Sequence, residues 1–286
     1  MQRYQIIHRT YYNFAASVRL GPHALLLRPR ENHEMRIESS VLTTTPTASI
    51  RWHRDVEDNS VAIATFTEPT RQLLIESQLI VQQYNHSPLD FVVAEHAARY
   101  PFAYAPDEAA VLAPYVAVSA ASVDERARIA QWMSQLWKSG DPPETYGLLQ
   151  RLASHIQQSL SYRVREEAGV QTAASTLARG GGSCRDFAFL FMEGARHLGL
   201  AARFVSGYLN AAPSPSDFGA THAWADVFLP GAGWKGFDPT HGKIVGSEHI
   251  AVAVARSPES VPPIAGTFTG PPGAEMDVGV WVTALP

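Results

Sequence analysis

The sequence has one cysteine in 286 residues, Cys184, so no intrachain disulfide can form. A chain of this length must then be held by its core, and the composition suits a reducing compartment. Clustered Lys/Arg patches are missing from every window and the net charge is -4. Nucleic acid and anionic membrane surfaces both demand a basic field, so neither is an expected partner. No segment approaches the roughly 20 apolar residues of a membrane span. The opening MQRYQIIHRTYYNF lacks the uninterrupted apolar run of a signal peptide. Internal repeats and low-complexity tracts are also lacking. These absences lead to the expectation of a soluble, cytoplasmic protein.

What is present divides by character. Residues 1–100 alternate apolar and polar positions in short runs, such as Met35-Arg36-Ile37-Glu38, Val61 to Phe66 and Leu73 to Gln82. Turn signals at Gly21-Pro22, Thr45-Pro46, Asp58-Asn59 and Glu68-Pro69 separate them, the pattern of an antiparallel β-rich domain. Residues 101–120 contain prolines and are expected to be a surface linker. Residues 121–286 change to helical spacing. Ser122 starts a helix through Ile129, Trp132, Met133 and Leu136, ended by Ser139-Gly140, and Asp141-Pro142-Pro143-Glu144 opens another through Leu148, Leu152 and Ile156. Strand-like runs follow at Ala202 to Leu209, His222 to Leu229, Trp234 to Phe237 and Val278 to Thr283. Helices followed by strands predict an α+β core, with the C-terminal strands assigned to it.

Cys184 follows Gly180-Gly181-Gly182-Ser183 where a turn becomes a helix: Phe187, Leu190, Phe191, Gly194, Ala195 and Leu198 lie on one face. A lone cysteine is most often a small buried hydrophobe. At a helix start, however, free backbone N–H groups and the helix dipole favour a thiolate, the form that attacks electrophiles.

A nucleophile of this kind needs a base. Thr221 to Leu229, Pro230-Gly231-Ala232-Gly233 and Trp234 to Pro239 form a hairpin signature. Folding back symmetrically about Pro230 places His222 opposite Asp238, Trp224 opposite Gly236 and Asp226 opposite Trp234. Opposed Cβ atoms lie about 4.5–5.5 Å apart, within reach of an imidazole–carboxylate hydrogen bond. A one-residue slip would put His222 and Asp238 on opposite faces. His222 would take the Cys184 proton and Asp238 would fix the histidine tautomer. The backbone N–H of Cys184 can serve as one oxyanion donor. Ordinary roles stand beside these: a strand-start histidine is commonly a hydrogen-bonded surface residue, Asp238 before Pro239 a turn former, and Asp186 a partner of the helix dipole.

At these residues the chain resembles the transglutaminase-like superfamily, in particular bacterial members that join a β-rich N-terminal region to a papain-like α+β core. The resemblance rests on Gly182-Ser183-Cys184-Arg185-Asp186-Phe187 with Arg196 to Tyr208, on Thr221-His222-Ala223-Trp224, and on Gly233 to Thr240. The opening from His8 to Arg30 and the tail from His249 to Thr267 resemble the ends of such proteins. It implies Cys184 as nucleophile, His222 as base and Asp238 as orienting acid. It further implies acyl transfer from a peptide or isopeptide-like amide through a thioester, without cofactor or metal. Water as acceptor makes a protease or amidase; an amine makes a transglutaminase. Tyr208 and Trp224 are the expected substrate-binding residues. His241 departs from the asparagine that follows Asp-Pro-Thr in many relatives.

Two other classes stay open on the residues alone. Cys184, His222, Asp238 and His241 are all acceptable zinc ligands, though no paired-ligand spacing accompanies them. A non-catalytic scaffold retaining the fold is the other.

Overall fold

The computed structural model describes residues 1–84, 87–119, 122–137, 140, 142–165, 167–210 and 221–286. The N-terminal region is a set of antiparallel strands, β1 (Gln2–Leu25), β2 (Met35–Thr45), β3 (Ser49–Arg54), β4 (Ser60–Thr65) and β5 (Thr70–Gln83), ordered β2-β5-β1-β4-β3. Alternation does what the sequence pattern predicts: on β5, Leu73, Ile75, Leu79 and Val81 are buried while Gln72, Gln78 and Gln82 point outward. The 24-residue β1 is long enough to take different partners along its length. Its first half pairs with β5, its register shifts between Asn13 and Val18, and its last residues pair with β4.

The segment expected to be a linker carries a helix, α1 (Pro106–Val116). Proline at its first position, followed by Asp107 and Glu108, provides a preset φ and charges that suit the helix N-terminus. Next comes α2 (Val123–Met133), whose start is the one the sequence predicts: Glu125 N–H donates to Ser122 Oγ at 3.2 Å, and Ser122 N–H donates back to the Glu125 carboxylate at 3.0 Å. The helix α3 (Thr145–Ser159) buries Leu148, Leu149, Leu152 and Ile156 along one stripe. The expected stop at Ser139 and start at Asp141 lie outside the described residues.

The core continues with β6 (Ser161–Tyr162), α4 (Ala173–Arg179), β7 (Gly181–Gly182), α5 (Cys184–His197), β8 (Ala202–Leu209), β9 (His222–Leu229), β10 (Gly233–Asp238), β11 (Lys243–Ile244) and β12 (His249–Ala255). The five larger-sheet strands run in the order β11-β10-β9-β8-β12, and α5 packs across β8 and β9. Phe187, Leu190, Phe191 and Ala195 form the buried stripe of α5, with Phe191 stacked on Phe237 of β10.

The last two strands, β13 (Ile264–Thr269) and β14 (Ala274–Leu285), depart from the expected domain plan. Both pair with β1, β14 along its whole first half from Phe14↔Ala274 to Arg3↔Leu285. The N-terminal sheet is thus a seven-stranded structure completed from the far end of the chain. Alternation marked Val278 to Thr283 as a strand but carries no information about which edge accepts it.

The N-terminal sheet also lies against the edge strand β12. Arg30 N–H donates to Ala251 O at 3.1 Å, and the buried Gln83 side chain donates to His249 O at 2.9 Å. The buried His8 ring sits 3.0 Å from the Tyr208 hydroxyl, and burial pushes its pKa down to about 4. A sheet edge left open would invite pairing with another chain; here it is covered.

Candidate active site

Cys184 occupies the first helical position of α5, partly buried in the lining of a cleft of about 420 Å³. The turn that presents it is organised by Asp186, which is fully buried. Its carboxylate accepts from Ser183 N–H (2.8 Å) and Oγ (2.9 Å), Gln171 N–H (2.8 Å) and Nε2 (3.1 Å), and Arg165 Nη1 (2.7 Å). Burial works to raise the Asp186 pKa, but the N–H groups of Gln171 and Ser183, with the Gln171 and Arg165 side chains, outweigh it and hold it below the usual carboxylate range. Asp186 therefore does more than meet the helix dipole: it ties the loop before α4 to the turn that aims the sulfur. The glycines are steric necessities there. A Cβ on Gly181 would lie 2.2 Å from Ser161 O, and one on Gly182 2.7 Å from the Asp186 Cβ.

The β9–β10 hairpin forms with a register two residues away from the expected one. Trp234 faces Phe228 and Gly236 faces Asp226, so Asp226 does not oppose Trp234. Gly231 and Gly233 both adopt positive φ, and the turn they build sets the new register. An even shift preserves side-chain parity. His222 and Asp238 stay on one face as diagonal neighbours, with His222 Nε2 2.9 Å from Asp238 Oδ2.

Cys184 and His222 line the same cleft, and the sulfur is near enough to raise the basicity of the imidazole. An ionised carboxylate only accepts, so Nε2 of His222 carries the proton given to Asp238 and Nδ1 is the ring nitrogen left for a second partner. Burial lowers the basicity of His222, but the Asp238 charge and hydrogen bond, then the Cys184 contact, outweigh it and push its pKa up to about 10. Asp238 is fully buried. Desolvation disfavours its charge, but His222, His241 and His249 hold it well below the usual carboxylate range.

That carboxylate is more heavily engaged than the sequence indicates. His241 Nδ1 lies 2.8 Å and His249 Nε2 3.0 Å from the same Oδ2, while Thr240 N–H donates to Oδ1 at 2.9 Å. His249 enters from β12, eleven residues further on, and no local spacing marks it. Its position in the tail resemblance is the one signal available. Among the described residues, His222, Asp238 and His241 are the group that could hold a metal ion, their ligand atoms lying within 4.8 Å of one another. His222 and His241 already donate to that carboxylate through Nε2 and Nδ1.

Two expected substrate residues are placed elsewhere. Tyr208 is buried against His8, and Trp224 is buried against the rings of His222 and His249, with centroids 6.1 and 5.2 Å away. Neither lines the cleft. Its walls are instead Phe204 of β8, Tyr162 and Val170 before α4, and Val261 and Pro262 beyond β12. Large aromatic residues near the motif went to the core because their area is worth more there.

Residues 4–82 match the bacterial transglutaminase-like N-terminal region, and residues 130–239 match the transglutaminase-like superfamily core. An uncharacterized protein of Mycobacterium tuberculosis is 30% identical over 297 residues, covering 97% of this chain and 91% of the relative. The chain belongs to the transglutaminase-like superfamily. A Mycobacterium leprae relative, also uncharacterized, is 24% identical over the full length of both proteins. Among solved structures, a candidate cysteine protease from Cytophaga hutchinsonii has a similar fold throughout. It covers all of this chain and 91% of its own, at a TM-score of 0.75 and 16% identity, a likeness of fold. The α+β assignment, with a β-rich N-terminal part, thus holds across both regions.

Proposed function

We propose that this transglutaminase-like protein is a cysteine-dependent acyltransfer enzyme that hydrolyses peptide or isopeptide-like amides. The observation that carries the proposal is His222, hydrogen-bonded to a buried Asp238, lining one open cleft together with Cys184. In this reading the sulfur attacks the amide carbonyl carbon and the carbonyl oxygen becomes an oxyanion. The N–H of Cys184 at the helix start faces that charge as one donor. The His222 proton passes to the departing amine and the C–N bond breaks, leaving a thioester. Water then gives its proton to His222 as it attacks the thioester, and that proton returns to sulfur when the acid departs. Phe204, Val170, Val261 and Pro262 favour apolar side chains beside the reacting amide.

Iodoacetamide labelling followed by intact mass tests the nucleophile without a known substrate. One adduct at Cys184 in the folded protein, slowed about tenfold or more in His222→Ala, is expected. Modification that occurs only on denaturation overturns the proposal. Ammonia release from glutamine peptides, measured with and without a primary amine, then separates hydrolysis from transamidation. Amine incorporation would replace water as the acceptor.

A further inference from the structure

The triad chemistry uses His222 and Asp238 and leaves His249 unexplained. Its ring is completely buried, which is costly for an imidazole unless both nitrogens are matched. They are matched in a way that permits a single protonation state. Gly246 N–H lies 3.2 Å from Nδ1, which must accept, and Nε2 lies 3.0 Å from Asp238 Oδ2, so it must donate. His249 is therefore neutral, with its proton on Nε2. Burial lowers its basicity and outweighs the pull of Asp238, which agrees with that assignment.

The groups around this ring come from several elements. His222 arrives from β9, His241 from the turn after β10, and the Trp224 ring meets His249 edge-on at 5.2 Å. Glu248 Oε1 is 3.8 Å from Nδ1 but is drawn to Lys243 Nζ at 2.6 Å. The backbone of His249 is held from the other side of the molecule by Gln83, the last residue of β5. A continuous series of hydrogen bonds thus runs from the N-terminal sheet through His249 to the carboxylate that faces His222.

We propose that His249 is a positioning residue: a neutral imidazole that pins Oδ2 of Asp238 in the orientation His222 requires, and that the N-terminal sheet seats through Gln83. Without its N–H, the buried carboxylate loses one of the three imidazole donors on Oδ2 and is less firmly oriented about χ2, so the His222 ring loses part of its fixed partner. The N-terminal region on this view is part of the reaction apparatus. The inference rests on the proposed acyl transfer, and its test separates the two.

Glutamine reproduces the neutral imidazole, with Nε2–H to donate and Oε1 to accept, whereas methionine has nearly the same length and volume but has no donor. Iodoacetamide labelling of Cys184 at neutral pH is compared in wild type, His249→Gln and His249→Met, with thermal melts to verify folding. His249→Gln is expected within about threefold of wild type and His249→Met at least about tenfold slower. A role in packing alone predicts equal rates for the two variants, and that result overturns the inference. If His249→Met does not fold, Gln83→Leu supplies the second measurement, since it leaves every group on the carboxylate in place. Labelling about threefold slower is expected, and an unchanged rate overturns the inference. Wild-type labelling that ignores His222→Ala would instead sink the proposed function. Labelling that depends on His222 with equal rates in the two His249 variants would sink the positioning role alone.

Discussion

Asn59, in the turn before β4, bonds both backbone groups of Val254: its Nδ2 donates to Val254 O at 2.8 Å, and its Oδ1 accepts from Val254 N–H at 2.9 Å. One fully buried side chain thereby does for β12 what a neighbouring strand would do. Asn59→Ala leaves a buried N–H and a buried C=O without these partners. A loss of about 2–4 kcal/mol in unfolding free energy is expected, from the cost of two unsatisfied buried groups. Urea denaturation measures it, and a loss under about 0.5 kcal/mol would show that the contact is dispensable.

Asp186→Asn tests whether the turn that carries Cys184 is built by charge. Asparagine keeps the shape but swaps one acceptor oxygen for a donor facing Ser183, Gln171 or Arg165. Stability should fall by about 3 kcal/mol or more, because the Arg165 charge loses its partner in a largely buried site. Cys184 labelling should fall with it. A variant as stable as wild type would mean that the turn is fixed by its glycines.

His241→Asn and His241→Leu separate a donor from a filler. The asparagine amide can reach Asp238 Oδ2 from the same backbone position as Nδ1, and leucine cannot donate. His241→Asn should label Cys184 within about threefold of wild type, and His241→Leu about tenfold more slowly. Since the His241 ring is partly exposed, both should fold normally. Equal rates in the two would remove His241 from any part in holding the carboxylate.

The His222–Asp238 pair predicts a pH dependence of stability. His222 is raised from an ordinary value near 6.5 to about 10, so its contribution is complete below pH ~6.5 and is lost as pH rises through about 10. The lowered Asp238 sets the acid side: its contribution is present above the ordinary carboxylate range and disappears as pH falls through the depressed value. The melting-temperature gap between wild type and His222→Gln should be widest near pH 6 and should close toward pH 10.5. A gap that does not change between those pH values would show that His222 is not held as a cation.

Cys184, His222 and Asp238 were legible because each is named by its own neighbourhood: a glycine-rich helix start, a strand start and an Asp-Pro turn. The hairpin estimate was two residues off and still succeeded, because side-chain direction depends on the parity of the register. His249 and Gln83 were not legible, since their importance arises from β12 lying beside the N-terminal sheet, a relation that periodicity does not encode. The same limit explains Tyr208 and Trp224. Strand alternation assigns a face, but what covers that face is decided by elements far along the chain. The helix in the expected linker was hidden by its own prolines, of which Pro106 is a helix start and Pro114 lies inside the last turn.

The pairing of β1 with β14 has a consequence for how the protein comes to be folded. Arg3 finds its partner at Leu285, and Ile6 at Val282, so an entire side of the first strand waits for the last one. During synthesis from the N-terminus, β1 can acquire β5 early, while the other edge of its first half stays unmatched until the whole transglutaminase-like core has been made. Sequence-distant pairing of this kind slows folding. It also ties maturation to completion: a chain that stops short of β14 presents a long open strand, a form that proteases and chaperones can tell from the finished protein.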